Sequence, residues 1–206
     1  MSADLRLGRW QDTLSDVESC NVIYSDPPYS PRTHDGYRSG EDFNRSNRIS
    51  YKPLTVQDVR DFVAFWQTRV REWVVLHCDH ITYRWWDSAW SSAGFYTFQP
   101  VPWVKTDAGP RAVGDGPAVG VEYIFVARTK SWPKVRKSRP PYYLVQVDKS
   151  QTAMRVVGKK RVQDVRRVLL DYSSAGDLVV DPFAGTSPIG VSCIELSREY
   201  IGSELD

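Results

Sequence analysis

Cysteine is scarce in this 206-residue chain: three residues, Cys20, Cys78 and Cys193, odd in number and far apart. That excludes a disulfide framework and fits a reducing compartment. Long apolar runs are lacking too, and none approaches the ~20 residues of a membrane-spanning helix. The opening residues do not show the charged, apolar and small-residue order of a secretory leader. Nor is there a large excess of charge of one sign: the net charge is +2, so charge alone does not announce a polyanion. Internal repeats and an interdomain linker are missing, and the length suits one core. The expectation is a soluble, cytoplasmic, single-domain protein over residues 1–206, with no membrane partner.

Aromatic side chains, by contrast, are abundant, with eight Trp and eleven Tyr. Such rings fill cores, and some stack on nucleic-acid bases; position has to separate the two roles. Positive charge is concentrated locally. Residues 128–139, "RTKSWPKVRKSR", carry lysines and arginines without an acid, and 155–167 add a second basic cluster. Local patches of this kind are the footprint of a polyanion, although solubility explains any single member equally well.

The hydrophobic pattern predicts strands at Leu5–Leu7, Val22–Ser25, Trp73–His77, Tyr96–Val101, Val121–Ala127, Leu178–Asp181 and Tyr200–Ser203. The clearest helix is 56–71, where Val59, Phe62, Val63, Trp66 and Val70 share a face. Thr55 and Asp58 have the spacing of a capping box. Further helices are expected at 10–17, 83–92, 161–171 and 188–197. Strands alternating with helices argue for an α/β domain with a mainly parallel sheet. Residues 30–50 are polar and almost devoid of aliphatic side chains, and are expected to form a mobile loop that contacts substrate. Residues 106–118, rich in Gly and Pro, also read as a loop.

Two stretches carry chemistry. In "NVIYSDPPYS" (Asn21–Ser30) an apolar strand runs into Asp26, Pro27, Pro28 and Tyr29. Prolines lack the N–H a central strand needs, so the strand ends at the acid. Taken alone, this is also what a proline turn capping a strand looks like. Near the C-terminus, "GDLVVDPFAGTSPIGVSCIELSREYIGSELD" parses as strand, glycine turn, helix, strand. Gly185 lets a ligand approach the backbone, Ser187-Pro188 has the form of an N-cap followed by Pro at the first helical position, and the helix start offers free N–H groups. Glu204, about twenty residues on, is spaced to accept hydrogen bonds from ribose hydroxyls. One glycine, where a dinucleotide fingerprint has three, argues against a dinucleotide.

Together, "DPPY" (Asp26–Tyr29) and "DPFAGT" (Asp181–Thr186) resemble the S-adenosylmethionine-dependent DNA amino-methyltransferases. With DPPY first and the cofactor motif last, the order is similar to the permuted β-class. "VPWVK" (Val101–Lys105) resembles that family's strand ending in Trp-x-Lys. "VEYIFVARTK" resembles its next strand, with Glu122 standing for a His-Glu pair. In "GKKRVQDVRRVLL" Lys159 matches the family's lysine and Lys160 replaces its proline. Departures are Gly185-Thr186-Ser187 for Gly-x-Gly, and Gly8-Arg9 for a Gly-Asp that contacts the cofactor adenine; Gln11 and Asp12 are the nearby substitutes.

The resemblance implies a Rossmann-like class I methyltransferase fold, circularly permuted, with a mostly parallel seven-stranded sheet and helices on both faces. It implies S-adenosyl-L-methionine as cofactor, held by Asp181, Pro182, Phe183, Ala184, Gly185, Thr186, Glu204 and Lys159. Asp26, Pro27, Pro28 and Tyr29 form the amine site: the Asp26 carboxylate and the Pro27 carbonyl would accept the two amine hydrogens, and Tyr29 would stack on an extruded base. Asp at the first position is closer to the adenine-N6 branch than to the cytosine-N4 branch. DNA is the implied partner, with Arg32, Arg38, Lys134, Arg136 and Lys137 as phosphate contacts, residues 128–157 as a short target-recognition segment, and a homodimer as the expected assembly. A phage or bacterial source would be natural for the family. A cytosine-N4 or RNA methyltransferase of the same fold, and a non-catalytic nucleic-acid-binding subunit, are the alternatives. No metal is expected: in "HCDH" (His77–His80) neighbouring strand residues point to opposite faces and cannot share an ion.

Overall fold

The computed structural model describes residues 2–33, 51–110, 115–132, 137–146 and 159–205. Among the described residues nine strands form one sheet: β1 (Ala3–Leu7), β2 (Cys20–Ser25), β3 (Val70–Cys78), β4 (Tyr96–Thr97), β5 (Val101–Lys105), β6 (Val121–Arg128), β7 (Tyr143–Val145), β8 (Leu178–Asp181) and β9 (Glu199–Glu204). Their order is β1-β9-β8-β2-β3-β6-β5-β7, with β4 beside β6. Pairings from β1 to β3 are parallel, as is β5 with β7; β6 runs antiparallel to β3, β4 and β5. The sheet is therefore mixed and nine-stranded, not the mostly parallel seven-stranded sheet expected.

Helices cover both faces. The central strand β2, "CNVIYS", is buried on both sides, which is why it reads as a continuous apolar run. Its alternation divides the core: Ile23 packs with α1 (Trp10–Thr13), α2 (Val56–Trp66) and α3 (Thr82–Ser92), through Trp10, Phe62, Trp66, Trp86 and Trp90. Val22 and Tyr24 face α4 (Val162–Tyr172) and α5 (Pro188–Glu195), through Val165, Val168, Leu169 and Ile189. Trp86 and Trp90 are fully buried, so these rings belong to the core.

Several boundaries move, each for a local reason. The Thr55–Asp58 capping box forms and starts α2, but the helix stops at Trp66 and Val70 opens β3. The run "VREWVVLHC" is rich in β-branched and aromatic residues, and pairing with β2 outweighs one more helical turn. The expected strand Tyr96–Val101 is two strands. Thr97 pairs with Ala127 and Val101 with Ile124, so four steps on one side answer three on the other; Pro100, without an N–H, lies in the interruption. Strand β7, three residues long, was not expected. Helix α1 ends at Thr13 and α5 at Glu195, both short of the sequence estimate.

The carboxyl ends of β1, β2, β3, β5, β8 and β9 and the start of β6 share one edge of the sheet. Ligands of α/β sheets bind at that edge.

Candidate active site

Asp26 follows the last residue of β2 and is half-buried. Its carboxylate is held from two sides. Lys160 Nζ donates to Oδ2 at 2.6 Å and the Tyr29 hydroxyl to Oδ1 at 3.2 Å. The Tyr29 hydroxyl also lies 3.1 Å from Glu122 Oε2, and Lys160 is 3.4 Å from that same oxygen. The second Glu122 oxygen accepts from Lys105 Nζ. Two acids, two lysines and one phenol thus interlock at the ends of β2, β5 and β6 and just before α4. Buried charges persist only when paired in this way.

Electrostatics follow from the pairing. Burial alone would raise the Glu122 pKa, but Lys160 and Lys105 outweigh it and hold the carboxyl down to about 2. Burial lowers that of Lys160, yet Asp26 and Glu122 keep the ammonium protonated above the ordinary lysine range. For Asp26, burial raises the value, Lys160 opposes it, and Glu122 adds to the rise; the net direction is upward. Tyr29 is held well above its usual value by burial and by the two carboxylates.

The turn after β8 lies next door. Ser25 Oγ donates to Asp181 Oδ1 at 2.5 Å and accepts from the Phe183 N–H at 3.1 Å. Asp181 is fully buried, and desolvation raises its pKa to about 7. Tyr200 Oη lies 3.4 Å from Asp181 Oδ2. Pro182 and Ala184 are buried, Phe183 stacks on Phe62 at 6.0 Å, and Gly185 and Thr186 are exposed at the mouth. Gly185 has φ +54°, the left-handed region that favours glycine. Its N–H donates to Glu204 Oε2 at 2.5 Å, so the acid and the turn meet.

Ser187 does not cap α5 as expected. It sits at φ 54° and ψ 45° without a capping side-chain bond, and its hydroxyl donates to Tyr200 Oη at 3.0 Å instead. Pro188 does open the helix.

The sequence singled out Lys159 for the cofactor; its neighbour Lys160, not singled out, reaches Asp26. Lys105 and Glu122 were visible as motif residues, but not as partners of Asp26. The available signal was that each is a charged residue at a strand end on one edge. Asp79 was also missed. It accepts from Ser30 N at 3.1 Å, Thr82 N at 2.7 Å, Thr33 Oγ1 at 2.5 Å and the Ser30 hydroxyl, fastening the chain after DPPY to the end of β3. Tyr29 is half-buried, with Lys160 Nζ 5.7 Å from its ring centroid. Of the basic candidates, Arg32 is exposed, and Lys137 donates to the Leu170 carbonyl at the end of α4. Arg38, Lys134 and Arg136, most of the 30–50 loop and residues 147–157 lie outside the described residues. Among the described residues no group of His, Cys, Asp and Glu is arranged to hold a metal ion, and no helix is long and apolar enough to cross a membrane. His77 contacts the Tyr24 hydroxyl through Nε2 at 3.1 Å, in the core.

The fold is shared with two solved structures. The M1.HpyAVI–SAM complex superposes with a TM-score of 0.72 at 16% identity, over all of this chain and 94% of that one. The cytosine-N4-specific PvuII DNA methyltransferase gives 0.72 at 14%, over all of this chain and 83% of that one. Residues 20–206 match the N6/N4 methyltransferase family described as DNA methylase, and the chain belongs to it. Among curated relatives, the Type II methyltransferase M.SmaI of Serratia marcescens is 26% identical over 188 residues, 82% of this chain and 58% of that protein. M.Cfr9I of Citrobacter freundii is 30% identical over 125 residues, 55% of this chain and 41% of that protein. The chain thus spans about half the length of the curated relatives it matches.

Proposed function

We infer that this chain transfers a methyl group from S-adenosyl-L-methionine to the N6 amine of adenine in DNA. Family membership supports the cofactor and the substrate class, and Asp at the head of DPPY favours adenine. One observation carries the reading: the Ser25–Asp181 hydrogen bond brings the acidic end of β2 against the turn that ends in Gly185 and meets Glu204.

The residues of that turn suit the cofactor. Glu204 is a half-buried acceptor already within hydrogen-bond reach of a backbone N–H, and a ribose diol can take that place. Gly185 and Thr186 are exposed beside it. When bound, the cofactor supplies an electrophilic sulfonium methyl. The chain's own part is positioning and electrostatics. A base in a duplex hides its amine, so the base leaves the stack, at a cost of a few kcal/mol. The Asp26 carboxylate and the Pro27 carbonyl accept the two amine hydrogens and turn the nitrogen lone pair toward the methyl group. Held by Glu204 and the Gly185–Thr186 turn, the cofactor would give up its methyl group and keep the electron pair of the C–S bond. The nitrogen, now positive, releases a proton to Asp26 or to water. Tyr29 holds the carboxylate through its hydroxyl, and the extruded base stacks on its ring. Target recognition by residues 128–157 and a homodimeric assembly complete the proposal.

The test is incubation of the protein with methyl-labelled cofactor and a mixed DNA pool, followed by nucleoside analysis. Labelled N6-methyladenine is expected. Labelled N4-methylcytosine would move the reading to the other amine, and a protein that binds cofactor but labels no DNA would overturn it. Asp26→Ala should abolish transfer and leave cofactor affinity near that of the wild type.

A further inference from the structure

Lys160 is buried, 8% exposed, yet it stands beside the candidate nucleophile site rather than on the surface. Its ammonium has three donors and no acceptor, and three acceptors surround it: Asp26 Oδ2 at 2.6 Å, the Tyr29 hydroxyl at 3.2 Å and Glu122 Oε2 at 3.4 Å. Glu122 is shared between Lys160 and Lys105. The two negative and two positive charges cancel, so the network can stay buried without a free ion.

We propose that Lys160 and Glu122 are positioning residues of opposite sign for Asp26: Lys160 keeps its carboxylate ionised and fixes its plane, and Glu122 limits that effect by sharing the ammonium. The proposal rests on the reading of Asp26 as the acceptor for the target amine. An ionised carboxylate has about four lone-pair sites. Lys160 takes one on Oδ2 and Tyr29 one on Oδ1, which leaves a site on each oxygen for an incoming N–H. A protonated Asp26 would instead aim an O–H at the amine and offer no charge to the nitrogen that becomes positive.

Of the charged groups around Asp26, Lys160 and Glu122 act on it most strongly. Tyr29 and Tyr24, on its own segment, are kept protonated, first by burial. Cys78 at the end of β3 is likewise kept a thiol by burial, and His77 is held neutral by burial and by Lys160 and Lys105. Asp181 on β8 is raised by burial and bonded to Ser25. Lys105 stands behind Glu122. An opposite charge in contact lowers a carboxyl pKa and a like charge raises it. Removing Lys160 and removing the charge of Glu122 must therefore act in opposite directions.

The experiment is the pH dependence of single-turnover methyl transfer at saturating cofactor, for the wild type, Lys160→Met, Lys160→Arg and Glu122→Gln. Lys160→Met should move the acidic limb to higher pH, with activity lost on the acid side and recovered toward pH 9; each pKa unit of displacement is a tenfold loss below the limb. Glu122→Gln should move the limb to lower pH, and Lys160→Arg should leave it in place. A 13C NMR titration of the Asp26 carboxyl should show the same opposed displacements, and it needs no turnover. Displacements of one sign, unmoved limbs or a loss uniform across pH would overturn the proposal. If Lys160→Met does not fold, the downward displacement in Glu122→Gln and the unmoved Lys160→Arg decide. A wild type in which the NMR displacements hold but no DNA is methylated would instead sink the reading of Asp26 as the amine acceptor.

Discussion

Ser25 Oγ and Asp181 Oδ1 lie 2.5 Å apart although 156 positions separate them in the chain. Each is the last residue of a parallel strand, β2 and β8, and the two strands are neighbours in the sheet. Both side chains are fully buried. The hydroxyl gives its proton to the carboxyl and receives the Phe183 N–H, so one serine fixes the spacing between the acidic tip of β2 and the turn after β8.

Replacing that serine tests the clamp. Ser25→Ala takes a donor from the buried Asp181 carboxyl and leaves the Phe183 N–H only its longer bond to Asp181 Oδ1, at 3.3 Å; a buried group short of a partner costs about 1–3 kcal/mol. A drop of that size in urea unfolding is expected, with weakened cofactor binding because the turn is no longer anchored. Unchanged stability and unchanged cofactor affinity would show that the clamp is idle.

Asp181 gives a pH signature. Burial raises its pKa to about 7 in the folded chain, against about 3.9 when unfolded. The folded state therefore binds more protons between those values. The stability this contributes is fully present below pH ~4 and is lost as pH rises through ~7. Asp181→Asn, which keeps an acceptor and cannot titrate, should flatten that part of the stability curve, measured by thermal melting from pH 5 to 8. A curve parallel to that of the wild type would contradict the assignment.

How much of this was legible beforehand depends on how far each contact reaches along the chain. Short-range signals were readable. Thr55 and Asp58 are three apart and form their capping box, and the apolar run of β2 ends at Asp26 as the prolines require. Glu204 and Gly185 belong to one strand–turn–helix–strand unit that was readable as such, although their contact was not foreseen. What failed depends on partners distant in sequence. Val70 has helical spacing from Trp66, but pairing with Cys20 claims it for β3. Tyr143–Val145 is too short to carry a pattern, and becomes a strand only because β5 presents an edge. That Lys160 reaches Asp26 depends on where the chain enters α4, a geometry that no local rule encodes.

Asp79 should anchor the chain after DPPY. Burial pushes its carboxyl up, but the Ser30, Thr33 and Thr82 hydroxyls and the Thr82 N–H outweigh it and hold it below the ordinary value. A lowered acid stabilises the fold above its unfolded pKa, and that contribution is lost as pH falls through the folded value. Asp79→Ala should cost about 1–3 kcal/mol for the orphaned donors and should reduce the slope of acid unfolding below pH ~4. It should also raise hydrogen exchange at Ser30 and Thr33. Protection at those amides equal to the wild type would rule out the anchor.

Glu204 divides its carboxylate between the Gly185 N–H, at 2.5 Å, and the Leu205 N–H, at 3.0 Å. Glu204→Ala removes the proposed ribose acceptor and the tie to the turn together. A charge-assisted hydrogen bond contributes about 1.5–3 kcal/mol, so cofactor affinity should fall by about tenfold to a hundredfold in calorimetric titration. Glu204→Gln, which still accepts, should lose less. Equal and small losses in both variants would place the cofactor elsewhere.

Tyr200 supports the same turn from below, and glycine makes room for it. Its ring is buried on β9, and its hydroxyl lies within reach of Ser187 Oγ and Asp181 Oδ2. A Cβ on Gly202 would stand 2.7 Å from the Tyr200 ring, and one on Gly190 would also stand 2.7 Å from it. Neither clash can be relieved by a small rotation, because the ring is held between α5 and β9 and its hydroxyl is bonded. Gly202→Ala should therefore cost about 1–3 kcal/mol as overpacking. The same substitution in a Tyr200→Val background should cost much less, since the clashing atoms are gone. The coupling between the two sites, measured by a double-mutant cycle in urea, should be large and favourable. Additive costs would mean that the glycine is there for its backbone and not for the ring.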